Sequence, residues 1–214
     1  MSQDATTADR FARDTKTHRL EIAQDQGPYR HLKFRAQDKD GRRTGFGWFD
    51  LITTPGTLIF TGDYDSVVFR RTEDMFDFFR RGSYDGEPNF GYWAEKVASG
   101  GPSSVQEYSE EVFEKTVKEQ VVNDIRDGQA PRGIGRAVHQ SFFAPTAWEY
   151  DTTHEAGARD ALNDFEYEGY RFGDDAWELD FTDYTHHFRW ACHAIVLGIR
   201  LYDQTKATST AAAA

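Results

Sequence analysis

The chain has 214 residues, 15% of them aromatic, a formal net charge of −11 and a single cysteine. That length supports one substantial core or two small ones, and the rings supply burial energy enough to argue against a disordered chain. Cys192 alone permits no internal disulfide and no cysteine-based zinc cage, and no apolar run approaches a membrane span. No charged and apolar leader pattern precedes the first polar segment, so the expectation is a cytoplasmic protein.

Residues 1–8 are polar and read as a tail. His18–Ala23 follows as a short strand, Gly27 and Pro28 as a turn, and Tyr29–Ala36 as a second strand. In that strand Leu32 and Phe34 point one way while His31, Lys33 and Arg35 point the other, the period-two pattern of a half-buried strand. Phe46–Thr53 is apolar on both sides and is expected to be central. Pro55 and Gly56 turn the chain into Leu58–Phe60, and Gly62–Asp65 turns it again into Ser66–Arg70. Short turns between short runs favour a meander over a parallel sheet.

Helical spacing takes over near residue 72. Thr72 is the expected N-cap, Met75, Phe76, Phe78 and Phe79 form the buried stripe, and Gly82 closes the helix. Ser104 with Glu107 suggests a capping box before a helix reaching about Asp127, whose residues Phe113, Val117, Val121 and Ile125 recur every fourth position. A short helix is expected near Ile134–Phe143. Thr153 is placed to cap an acidic helix ending near Glu168, with Ala158, Ala161, Leu162 and Phe165 as its stripe. The last helix is expected over Thr182–Gln204, and 205–214 is low-complexity and reads as a tail. Together these elements predict an α+β fold, an N-terminal antiparallel β-meander packed against C-terminal helices. One domain would cover 9–204, sheet-rich over 18–71 and helical over 72–204. Trp48, Phe60, Phe78, Trp93 and Trp190 are its expected buried rings.

The charge is unevenly placed. Glu149–Asp183 holds 12 acidic and two basic residues, a balance of −10, whereas the first 81 residues carry 13 acids and 14 bases. On a helix Asp160, Asp164 and Glu168 would form one ridge of carboxylates about 6 Å apart; Asp174 and Asp175 extend the acidic stretch. Such a surface could imitate a phosphate strand and occupy a basic groove on another protein. It could equally be a solvated face that aids solubility.

Two other groupings stand beside it. His31, Lys33 and Arg35 on one strand face, with Arg42 and Arg43 in the next loop, could hold a nucleotide or nucleic-acid phosphate, or simply be a charged solvent face. Asp180, Asp183 and His187 have residue types that hold a divalent metal, with Asp183 and His187 on one helical face, but Asp180 is more simply a cap. Cys192 and His193 diverge by about 100° on a helix, which argues against a nucleophile and base pair. No nucleophile elbow, phosphate-binding loop or dinucleotide fingerprint is present. No cofactor is expected.

The stretches YRHLKFR (29–35), WFDLITTPGTLIFTGD (48–63), FRRTEDMFDFFR (69–80), NFGYWAEKV (89–97) and YTHHFRWACHAIVLGIRLYD (184–203) together resemble a family of small uncharacterised proteins of tailed bacteriophages and prophages. The resemblance spans about half the chain and leaves out 128–150 and the terminal tail. It implies a phage or prophage origin and the host cytoplasm as setting, and it carries no catalytic residues. With the acidic stretch, it makes a phage accessory protein the leading expectation, one that binds and inhibits a host defence nuclease or another nucleic-acid-binding protein. The alternatives are a nucleotide- or nucleic-acid-binding protein using the basic strand face, and a metal-dependent enzyme.

Overall fold

Alternating apolar side chains organise the N-terminal half into a five-stranded antiparallel sheet. The computed structural model describes residues 3–83, 86–144, 150–173 and 176–213. Its first strands are β1 (His18–Gln26), β2 (Tyr29–Ala36), β3 (Phe49–Thr54), β4 (Thr57–Gly62) and β5 (Asp65–Arg70), each paired with the next in the chain. The sheet is therefore the expected meander. Pro55 and Gly56 join β3 to β4, with Gly56 at φ +77°, the left-handed value that a type II turn requires at its third position.

The apolar members of the alternation fall on one face. Leu32, Phe34, Phe49, Leu51, Leu58, Phe60, Val67 and Phe69 are all buried. Register places Phe34 opposite Phe49, and their rings stack with centroids 4.4 Å apart. A helix near the chain's start, α1 (Gln3–Asp14), and a long final helix cover this face. Trp190 of the final helix meets Phe49 edge-on at 5.5 Å and Phe11 of α1 at 5.0 Å. Gly198 permits the close approach, since a Cβ there would stand 2.5 Å from Leu51 Cδ1 and 3.0 Å from Phe34 Cζ.

Helix α2 (Met75–Arg81) buries the expected stripe, but its cap is Asp74, whose carboxylate accepts from the Phe76 N–H. Thr72 instead donates its hydroxyl to the Asp74 carbonyl, so the helix starts later than its first good capping residue. In α3 (Phe90–Ala94) Asn89 caps and Trp93 is buried. The chain then extends the sheet: the Arg70 N–H donates to the Lys96 carbonyl and the Ala98 N–H to that of Val68. Phe60, Phe78, Trp93 and Trp190 are buried as expected. Trp48 is only half-buried, and the Arg35 guanidinium lies 4.9 Å from its ring centre.

The chain divides into two compact units, one made of residues up to Val105 and from Tyr184 onward, the other of Gln106–Asp183. In the second, β6 (Gln106–Tyr108) pairs with β7 (Thr182–Tyr184), and between them lie α4 (Glu110–Arg126), α5 (Ile134–Val138), which runs into a wide turn at His139–Phe143, and α6 (Glu155–Asp164). Phe113, Phe142, Phe165, Phe172 and Phe181 centre a second aromatic core. Ser109 caps α4, and Ser104 and Glu107 lie before it, so the expected capping box is not formed. Phe113, Val117 and Val121 are buried but Ile125 is 52% exposed. Steps of four residues advance 400°, and the accumulated 40° drifts carry the fourth member off the buried face.

Two expected boundaries move. Thr182–Tyr184 is strand, and the last helix, α7 (His186–Ala213), starts where the Thr185 hydroxyl accepts from the Phe188 N–H. Residues 3–8 and 205–213, expected as tails, are helical. Thr7 is buried, and the hydroxyls of Thr205, Thr208, Ser209 and Thr210 bond back to carbonyls four residues earlier along a segment rich in alanine.

Candidate functional site

Charge separates by unit. The first unit holds 17 acidic and 18 basic residues, a balance of +1, and the second holds 19 acidic and 7 basic, a balance of −12. The excess of the whole chain thus resides in the second unit. Asp160 and Asp164 stand one turn apart on α6, both exposed. Neither has an ion-pair partner among the described residues; Asp164 accepts only from the neighbouring Asn163 amide at 3.1 Å.

Glu168 does not continue this ridge. After Asp164 the backbone of Phe165 becomes extended, which sends its ring into the second core, 5.2 Å from Phe142. Tyr167 and Tyr170 then exchange two backbone hydrogen bonds of 3.0 and 2.9 Å, closing a two-residue turn with Glu168 at φ +47° and Gly169 at φ +78°. Burial of Phe165 wins over helix continuation, and the expected three-carboxylate ridge has two helical members. Thr153 does not cap α6 either. It donates through both its N–H and hydroxyl to Asp151, and His154 occupies the cap position. Asp174 and Asp175 lie outside the described residues.

The two basic residues of the acidic stretch are engaged locally, Arg159 with Glu155 and Arg171 with Glu166. Arg159 also donates to the Trp177 carbonyl at 3.0 Å, and its guanidinium lies 4.8 Å from the Phe181 ring centre. Trp177 has 71% of its surface in solvent. Together with Asp160, Asn163 and Arg171 it lines a cleft of about 440 Å³. The sequence carried a signal for it, a tryptophan among carboxylates with no periodic apolar partners. Nearby phenols are structural: Tyr170 donates to Asp124 at 2.5 Å, with burial raising its pKa well above the ordinary value, and burial aided by Glu110 pushes Tyr108 up to about 12.

On β2, His31, Lys33 and Arg35 do share the outer face. Register sets Asp50 of β3 opposite Lys33. Asp50 is 7% exposed, accepts from Arg35 Nη1 at 2.6 Å, and has His31 Nε2 2.7 Å away. Arg35 Nη1 also donates to the carbonyls of Phe34 and Phe49, and Arg43 pairs with Glu21 at 2.5 Å. Only Lys33 and Arg42 of the five keep side chains without a hydrogen-bonding partner among the described residues. Most of the basic grouping is therefore neutralised from within the sheet.

The Asp180, Asp183 and His187 arrangement is not assembled on one helix, because Asp183 lies in β7 and His187 in α7. Asp180 accepts from the N–H and hydroxyl of Thr182, fixing a turn. Among the described residues no group of three or more His, Cys, Asp or Glu side chains converges as a metal site. Cys192 is fully buried, which pushes its thiol pKa far up. No helix of the described residues is long and apolar enough to cross a membrane. Comparison with protein-family models, with curated proteins and with solved structures gives no match.

Proposed function

We propose that the protein acts by binding, presenting the acidic face of its second unit to a basic partner, and that this partner is a nucleic-acid-binding protein such as a host defence nuclease. The observation that carries the reading is Asp160 and Trp177 lining one cleft, with Asp164 a turn further along α6. Carboxylates without an ion-pair partner among the described residues, in a unit of net charge −12, attract a basic surface at long range and set the rate of encounter. An exposed tryptophan supplies the short-range part, a large rigid anchor whose π face accepts a lysine or arginine. The resemblance to phage proteins supplies the setting, in which a small protein disables a host factor by occupying its nucleic-acid groove.

The test starts from the protein captured by this chain from a bacterial host lysate and then purified. Affinity is measured for the parent, for Asp160→Asn with Asp164→Asn, and for Trp177→Ala, at about 50 and 200 mM salt. Charge removal is expected to weaken binding chiefly at low salt, Trp177→Ala at both salts, and excess duplex DNA should displace the partner. Unchanged affinity in both variants, or a partner indifferent to DNA, would refute the proposal.

A further inference from the structure

Spacings of three and four residues give α1 a face of Ala8, Phe11 and Ala12, with Thr15 just past its end, and give α7 a face of His193, Val196, Leu197 and Arg200. These two faces belong to the same unit and wall a cleft of about 520 Å³, within the volume range of small-molecule sites. Its apolar lining includes Phe11, Val196 and Leu197. Lys16, Arg19 and Arg200 also line it, as do Asp9 and Glu87, so among the described residues three cations stand against two anions.

The cations are not spent on the protein. Lys16 and Arg200 have no hydrogen-bond or ion-pair partner among the described residues, and Arg19 donates only to the carbonyl of its neighbour His18, at 3.3 Å. His18 lies in the same wall, 4% exposed; its Nε2 is 2.7 Å from the Gly47 carbonyl, and its buried Nδ1 makes no hydrogen bond. An anion balances the excess of positive charge in this lining while its hydrocarbon part covers the apolar side chains.

We propose that this cleft binds a small anionic amphiphile, a molecule with a carboxylate or phosphate head and a short hydrocarbon tail. The head is held by Lys16, Arg19 and Arg200, and the tail lies against Phe11, Val196 and Leu197. The site is independent of the acidic face of the second unit, so either proposal can fail alone.

Calorimetry on the full chain tests it with sodium octanoate, octylamine and inorganic phosphate as probes. Octanoate is expected to bind one to one and to shift the His18 ring resonances in NMR. Octylamine should not bind, and phosphate should bind at least about tenfold more weakly, lacking a tail. Arg200→Gln and Lys16→Gln should each weaken octanoate about tenfold, the value of one charge-assisted contact, with the melting temperature unchanged. No octanoate binding at millimolar concentration, octylamine binding as tightly, phosphate matching octanoate, or parent affinity in both variants would each overturn the assignment.

Discussion

Asp74 and Arg30 are joined by two parallel hydrogen bonds of 3.0 and 2.7 Å, while the same carboxylate accepts from the Phe76 N–H at 2.9 Å. Arg30 lies on the core side of β2 with its side chain 8% exposed, and its guanidinium sits 4.6 Å from the Phe76 ring centre. One carboxylate thus caps α2, neutralises a buried cation of the sheet and binds the two elements together. Burial by itself raises the pKa of Asp74, but the Arg30 and Phe76 hydrogen bonds outweigh it and hold the carboxyl below its ordinary value.

Replacing Asp74 by alanine is expected to cost about 3 kcal/mol, from losing a helix cap and leaving a buried arginine unpaired. Asp74→Asn should cost less, because the amide oxygen can still cap α2. Urea unfolding of both variants measures this. Equal losses would show that the ion pair, not the cap, carries the stability.

Acid should destabilise the protein in two stages. His18 and His186 are held below the ordinary 6.5, chiefly by burial, so the unfolded chain takes up protons there before the folded one does. Their contribution is complete above that value and falls as the pH drops through it. The carboxylates Asp74 and Asp25 are held below 3.8, so their contribution is complete above that value and is lost as the pH falls toward their lower folded values. Unfolding free energies measured between about pH 7 and pH 3 should fall in both windows. In His18→Gln the upper step should shrink; an unaltered upper step would exclude His18 as its source.

Glu168 occupies a left-handed position that suits asparagine or glycine. Glu168→Asn should raise stability by up to about 1 kcal/mol, as the side chain of asparagine tolerates that backbone. Asn is preferred to Gly because Gly would add conformational freedom to the unfolded chain that folding must then remove. Because Glu168 stands apart from Asp160 and Asp164, the substitution should leave partner affinity much less affected than the Asp160/Asp164 change. Thermal melts and the binding assay above read the two effects separately.

Gly198 lies in a helix interior, where alanine is the better helix former by about 1 kcal/mol. Gly198→Ala is nevertheless expected to destabilise by about 1–3 kcal/mol, because the added methyl must displace Leu51 and Phe34 from a packed face. A raised melting temperature would show that α7 can withdraw from the sheet at little cost.

Local pattern determined much of this protein by itself. The alternation in Tyr29–Ala36 and the short turns specified a meander, and the Met75–Phe79 stripe specified a buried helix, because side-chain direction follows directly from backbone period. Candidate chemistry was less legible, since charges are compensated by residues brought close only through folding. Whether His31 and Arg35 are free depended on the register that places Asp50 beside them. Whether Glu168 joined Asp160 and Asp164 depended on Phe165 leaving the helix for an aromatic core assembled from distant segments. Arg30 shares the face of Leu32 and Phe34, and only Asp74 and Phe76 from α2 supply the carboxylate and the ring that hold a cation there. Periodicity reports which way a side chain points; what it meets there is decided by the tertiary fold.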